Sequence, residues 1–191
     1  MLYYADLFQD ESNEMVLSDI AEIIMGQAPD GSSYNEDGDG MPFYQGRTDF
    51  GMLFPKERLF TTAPSRLAKK GDVLFSVRAP VGDANIANAD CCIGRGLAAI
   101  RNKLDFENNA AIYYALTAAH SDFDVYNGSG TVFGCISKVE LNAAKLKVGN
   151  AEKLKTFDNK VSPLFEKSIS LMLENQKLTA IKQVYLKKFF S

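Results

Sequence analysis

The chain has 191 residues, 46 % of them apolar, with 13 Phe and 8 Tyr, which is enough for one medium domain plus an appendage and too apolar for a disordered chain. No apolar run approaches the roughly 20 residues needed to span a bilayer. The start, Met1-Leu-Tyr-Tyr-Ala-Asp6, lacks the basic region and apolar core of a signal peptide, and three cysteines without a Cys-x-x-Cys make no disulfide framework. A reduced, cytoplasmic protein that does not enter a membrane is expected. The net charge of −3 hides a segregation: ten acids and no Lys or Arg up to Gly46, then 21 basic against 14 acidic side chains. The basic part can meet a polyanion while the acidic part faces solvent or a partner, unless the two mix in three dimensions.

In chain order, Ser18 or Asp19 is placed to cap a short turn running to Ile23, and residues 41–45 form a strand candidate. Lys70-Gly71-Asp72 reads as a turn into a strand over residues 72–78. Residues 91–101 read as another strand, whose Gly94 and Gly96 suggest a bulge or a close backbone approach. A helix is expected over residues 108–120, and a weaker strand over 131–136. Ser137-Lys-Val-Glu140 has the spacing of a capping box, so a brief helix should start there.

From Asn150 the texture changes. Glycine vanishes and strong helix formers run from Ala151 to Phe190. Leu164, Leu171, Leu178 and Tyr185 recur every seven residues, with Phe157 one heptad earlier and Val161, Phe165, Met172 and Ile181 widening the stripe. Such a repeat points to a coiled-coil partner helix, the alternative being a helix packed on its own domain. Pro163 should kink this helix or mark its true start. The expected fold is α+β: a mixed, mainly β globular domain over residues 1–150, then a long coiled-coil-type helix over residues 151–191.

Several chemistries are excluded by what is missing. His120 is the single histidine, so a His-based metal cluster cannot form, and its place at the end of an alanine-rich helix suits a solvated or dipole-paired ring. Residues 35–40, Asn-Glu-Asp-Gly-Asp-Gly, start like a calcium loop, but its twelfth position is Gly46 in place of a bidentate Glu. No phosphate-binding Gly-x-x-x-x-Gly-Lys-Ser/Thr occurs, and Gly94-Arg-Gly96 lacks a third glycine and opens no helix. Neither the Pro-Pro-Tyr loop of adenine methyltransferases nor the acidic-lysine cluster of nucleases is found. Cys91, Cys92 and Cys135 are expected to pack as small hydrophobes. No metal, cofactor or catalytic residue is assigned.

Three stretches carry a resemblance. The first is Leu17-Ser-Asp-Ile-Ala-Glu-Ile-Ile-Met-Gly-Gln-Ala-Pro29, followed by Gly40-Met-Pro-Phe-Tyr-Gln-Gly-Arg-Thr-Asp-Phe50. The second is Ala68-Lys-Lys-Gly-Asp-Val-Leu-Phe-Ser-Val-Arg-Ala-Pro-Val-Gly82, leading to Cys92-Ile-Gly-Arg-Gly-Leu-Ala98. The third is Gly128-Ser-Gly-Thr-Val-Phe-Gly-Cys-Ile-Ser137, ahead of the long helix. In this order they resemble the specificity subunit of type I restriction–modification systems, over nearly the whole chain from about Val16.

The resemblance implies a sequence-specific DNA-binding, non-catalytic subunit that directs methylating (M) and, through them, restriction (R) subunits to a bipartite target in double-stranded DNA. Full-length members of that family carry two target-recognition domains and two spacer helices that pair antiparallel. One domain and one helix make this chain resemble a half-length form, working as a homodimer or beside another specificity chain. Two other roles fit the same features: a truncated chain that competes for partners and modulates assembly, or a coiled-coil adaptor without direct DNA contact. The acidic stretch Met1–Glu14 matches nothing in the family.

A base-reading domain needs polar and cationic side chains on loops aimed at a groove. Gln27, Gln45, Arg47 and Thr48 lie beside Gly or Pro turns, Arg78 and Arg95 lie in Gly- or Pro-punctuated segments, and Ser129 and Thr131 flank glycines. These are the candidate DNA contacts, each with an ordinary surface hydrogen bond as its alternative. Lys69, Lys70, Arg101 and Lys103 are better placed for phosphates than for bases. Val161, Leu164, Leu171, Leu178, Ile181 and Tyr185 are the candidate partner-facing helix residues.

Overall fold

Side chains alternate across a β-strand, and in the run Val73-Leu-Phe-Ser76 this places Val73 and Phe75 in one hydrophobic core and Leu74 in another. That division organises the whole molecule. The computed structural model describes residues 14–104, 108–128 and 134–190. Its elements are β1 (Met15–Val16), α1 (Leu17–Ile20), β2 (Ala21–Met25), β3 (Tyr34–Asn35), β4 (Met41–Tyr44), β5 (Phe60–Thr61), β6 (Leu67–Ala68), β7 (Val73–Ser76), β8 (Ala84–Ile86), β9 (Cys91–Ile93) and β10 (Leu97–Asn102). They are followed by α2 (Ala110–Ala118), α3 (Lys138–Ala143), β11 (Lys145–Leu146) and α4 (Ala151–Phe190). The fold is α+β, with mixed sheets and a long C-terminal helix.

An antiparallel sheet of order β2-β10-β7-β8 lies between the two cores. Its central strands are apolar on both faces because both faces are covered, which is why β10 begins Leu-Ala-Ala-Ile with no polar alternation. On one side Leu74, Leu97 and Ala99 meet Tyr44, Ala68, Cys91 and Ile93 of a second, five-stranded sheet of order β3-β5-β4-β9-β6. In that sheet β4 and β9 run parallel, with Phe43 beside Cys92 and Tyr44 beside Ile93. On the other side Val73, Phe75, Ala98 and Ile100 meet α2 and the first half of α4. A small pair of β1 with β11 completes the strands. The acidic first quarter of the sequence contributes β2 and β4 to these sheets, so the acidic and basic parts are interwoven in space.

Several local expectations are modified. Residues 91–101 are two strands in different sheets, because Gly94-Arg95-Gly96 carries the chain from one sheet to the other. The turn near Ser18 ends at Ile20, and Ile23 belongs to β2, paired with Ile100. The Ser137 capping box forms as its spacing requires: Glu140 N donates to Ser137 Oγ at 3.3 Å, and Ser137 N donates to Glu140 Oε2 at 2.8 Å. Of the strand expected over 131–136, residues 131–133 lie outside the described residues; Cys135 bridges to Arg78. Cys91 and Cys92 are buried as small hydrophobes, but Cys135 is exposed.

The long helix starts at Ala151, where Asn150 Oδ1 accepts the Lys153 amide at 2.9 Å, and it runs through Pro163 without starting there. Leu154, Phe157, Val161 and Phe165 are buried in the core of the globular part, and Phe157 and Phe165 meet the Tyr114 ring at 6.1 and 5.9 Å. Val161 and Phe157 therefore do not face a partner, contrary to their place in the heptad stripe. Leu164, Leu171, Leu178, Ile181 and Tyr185 are exposed, at 63, 45, 55, 51 and 57 %. At 3.6 residues per turn Leu164, Leu171 and Leu178 lie roughly 65–105° around the helix from the mean direction of the buried face. Every described side chain from Glu174 onward is exposed, so the last turns project about 25 Å beyond the domain.

Candidate nucleic-acid interface

Three loops meet where β4, β7 and β9 end. The Gly94 amide donates to the Tyr44 carbonyl at 2.8 Å, Gly96 N to Gln45 O at 3.0 Å, and Val77 N to Gly96 O at 2.9 Å. The backbones touch so closely that a β-carbon on Gly96 would lie 2.6 Å from Gln45 O, and one on Gly94 would lie 3.0 Å from Gln45 Cα. Only glycine permits this approach, and it leaves the Arg95 side chain between the two glycines with nowhere to go but outward. The third motif stretch joins the same place, since Ile136 N donates to Val77 O and Ala79 N donates to Gly134 O, both at 3.0 Å.

The loops enclose an open cleft of about 390 Å³, lined by Ala28, Phe43, Gln45, Gly46, Arg47, Thr48, Arg78, Ala79, Pro80, Gly94, Arg95 and Gly96. Five expected contact residues, Gln45, Arg47, Thr48, Arg78 and Arg95, thus come together, and all five are exposed. No carboxylate is among the lining residues, and although Asp83 pairs with Arg47, the guanidinium groups of Arg78 and Arg95 give the cleft a positive field suited to phosphate or to the acceptor edge of guanine. Among the described residues, the Arg78 and Arg95 side chains have no ion-pair partner.

The other candidates are elsewhere. Gln27 adjoins the cleft residue Ala28; its amide donates to Ile93 O at 2.9 Å, its carbonyl accepts from Ser65 Oγ at 2.5 Å, and the side chain is exposed. Lys69 and Lys70 precede β7, at the opposite end of that strand from Arg78. Arg101 is engaged with the buried Asp72, through Nε and Nη2 at 2.7 and 2.6 Å, and Lys103 Nζ donates to Ser18 O at 2.7 Å. Both are structural cations. Ser129 and Thr131 lie outside the described residues.

Two supporting groups, Asp49 and Asp83, had no local signal in the sequence. Asp49, only 4 % exposed, accepts from Gln45 N at 2.7 Å and Gly46 N at 3.3 Å through Oδ2, and from Arg58 Nη2 at 2.9 Å through Oδ1. It fixes the loop that presents Gln45, Arg47 and Thr48. Asp83 accepts from Arg47 Nε, and His120 Nε2 lies 3.3 Å from its other oxygen, so the lone histidine is paired through a carboxylate. In the core between the two sheets, burial pushes the Cys91 thiol up to about 12 and raises the Tyr44 phenol, so neither ionises near neutral pH.

Comparison with known proteins agrees with this architecture. Residues 9–183 match the family described as "Type I restriction modification DNA specificity domain". The "Putative type I restriction enzyme MjaX specificity subunit" of Methanocaldococcus jannaschii is 40 % identical over 143 residues, covering 75 % of this chain and 33 % of that protein. The crystal structure of the HsdS subunit from Thermoanaerobacter tengcongensis is similar with a TM-score of 0.67 and 31 % identity, over 98 % of this chain and 49 % of that one. A chain from a study of complex assembly and conformational transition of the type I R-M system gives 0.65 and 35 %, over 91 % and 43 %. The S subunit from M. genitalium, at 16 % identity, a TM-score of 0.59 and coverage of 92 % and 48 %, shares the fold. The chain spans a third of the curated relative's length and less than half of each solved chain. On these grounds the chain belongs to the family of type I restriction–modification DNA specificity domains.

Proposed function

We propose that this chain is a sequence-reading, non-catalytic part of a cytoplasmic type I restriction–modification complex. The cleft of Gln45, Arg47, Thr48, Arg78 and Arg95 contacts one half-site of a bipartite target in double-stranded DNA. The exposed stripe of α4 pairs with a second specificity helix, from another copy or another specificity chain, and the assembly engages methylating subunits and, through them, restriction subunits. The single observation that supports the reading best is the convergence of three arginines, Gln45 and Thr48, drawn from separate motif stretches, on one cleft without a carboxylate in its lining. Lys69 and Lys70, at the far end of β7, and Ser129 and Thr131 are second-rank contacts in this proposal.

Salt titration of binding tests it. With the methylating subunit present, the log affinity for an oligonucleotide bearing the host's methylated motif should fall linearly with log salt concentration, and that affinity should exceed the one for a scrambled duplex by at least about a thousandfold. Equal affinity for the two duplexes at every salt concentration would reject the reading in favour of an adaptor role.

A further inference from the structure

Arg47 differs from the two other arginines of the cleft in having a carboxylate of its own. Asp83 Oδ2 accepts from Arg47 Nε, and that bond occupies one edge of the guanidinium; no other ion pair or hydrogen bond is made by the Arg47 side chain among the described residues. The two Nη groups are left without a partner among the described residues, on a side chain that lines the cleft. Asp83 is itself held. Its amide donates to the fully buried Ser76 Oγ at 2.9 Å, and that hydroxyl donates onward to Pro80 O at 2.9 Å. Its second oxygen faces His120 Nε2, and a β-carbon on the intervening Gly82 would press on Phe123 Cβ at 3.2 Å and His120 O at 3.3 Å. The carboxylate thus sits on a rigid hairpin between β7 and β8. Arg47 lines both the main cleft and a second depression of about 330 Å³, and Asp83 lines only the second.

A carboxylate is a poor neighbour for a phosphate, because it opposes the polyanion's field and partly neutralises the cation beside it. It is a good neighbour for a base reader, because it removes the rotameric freedom of a long side chain and turns a mobile charge into a fixed fork. We propose that Asp83 is a positioning residue that makes Arg47 the guanine reader of this cleft, whereas Arg78 and Arg95, which have no such partner among the described residues, take phosphates. The inference rests on the DNA-reading function proposed above and adds to it a division of labour among the three arginines.

Selection from a randomised double-stranded oligonucleotide pool, by the chain assembled with its methylating subunit, separates the possibilities. Asp83→Asn and Arg47→Lys should each flatten the preference at the same single base pair by roughly tenfold or more, leave the other positions unchanged, and be no worse in combination than alone. Arg78→Ala should instead weaken all sequences alike and reduce the slope of log affinity against log salt by about one. A sequence-selective wild type whose preference survives both Asp83→Asn and Arg47→Lys overturns this proposal alone, and so does a loss spread over every position. A wild type that selects no sequence at all overturns both the reading function and the role of Asp83 within it.

Discussion

The Gly96 amide donates to the Gln45 carbonyl at 3.0 Å, and a β-carbon on Gly96 would sit 2.6 Å from that same oxygen. This contact joins the loop after β4 to the crossover between the two sheets, and it aims Arg95 into the cleft beside Arg47. Gly96→Ala should therefore cost about 1–3 kcal/mol in urea unfolding and abolish sequence preference at the same time. Retained preference with wild-type stability would show that the loops can part without consequence.

The two faces of α4 should respond to mutation in opposite ways. Phe157→Ala removes a fully buried ring from the core and should lower stability by about 3–5 kcal/mol. Leu171→Ala with Leu178→Ala removes exposed side chains and should leave the thermal transition within the spread of surface mutants, about 0.5 kcal/mol. The same double variant should weaken association through the helix, measured by sedimentation. Equal thermal destabilisation by the two variants would place the leucine stripe inside the domain.

Thiol chemistry offers a check on the core and on the surroundings of Arg78. Of the three cysteines, Cys91 and Cys92 are buried and Cys135 is exposed. A thiol-titrating reagent should find one reactive group in the native chain and three after denaturation. Cys135 lies directly opposite Arg78 in an antiparallel bridge, so the two side chains share a face. A bulky maleimide at Cys135 should accordingly weaken DNA binding, and labelling without effect on binding would move Arg78 out of the interface.

The pair of the buried Asp72 and the half-buried Arg101 should behave as structure. Asp72 is 1 % exposed, accepts twice from Arg101 and once from Lys69 N, and anchors the turn before β7. Asp72→Ala should cost about 1–3 kcal/mol by leaving those donors without an acceptor. The refolded variant should keep the wild-type base preference, because the cleft lies at the other end of β7.

Much of the cleft was legible because turn chemistry is local. Gln45, Arg47 and Arg95 sit beside a glycine, Thr48 and Arg78 lie two residues from Gly46 and Pro80, and loops at strand ends collect on one side of a sheet. Asp83 was not legible as a partner of Arg47, since 36 residues separate them and only the register of two sheets brings them together. Asp49 was hidden for the opposite reason: an acid within a loop looks solvated until its burial is known. The helix misled at its start. Phe157 shares the seven-residue register of Leu164 and Leu171, with Val161 widening the stripe, yet a straight helix drifts about 20° per heptad, so one sequence stripe passes from the domain's core to open solvent. The strand over residues 91–101 was divided for a similar reason, because two cores demand the same apolar run and only the glycine pair marks the crossing.

Mapping of methylated bases in host DNA, with this gene intact, deleted, or carrying Arg47→Lys, tests the central claim most directly. If the cleft reads one half-site and α4 spaces it from the other, the methylated motif is interrupted by an unread spacer. A homodimer, whose two-fold axis relates identical readers, gives a palindrome; a second specificity chain gives unequal halves of which one follows this gene. Arg47→Lys then relaxes one base pair in each half-site that this chain reads. A motif that is continuous, or that is unchanged by deleting the gene, would contradict the account.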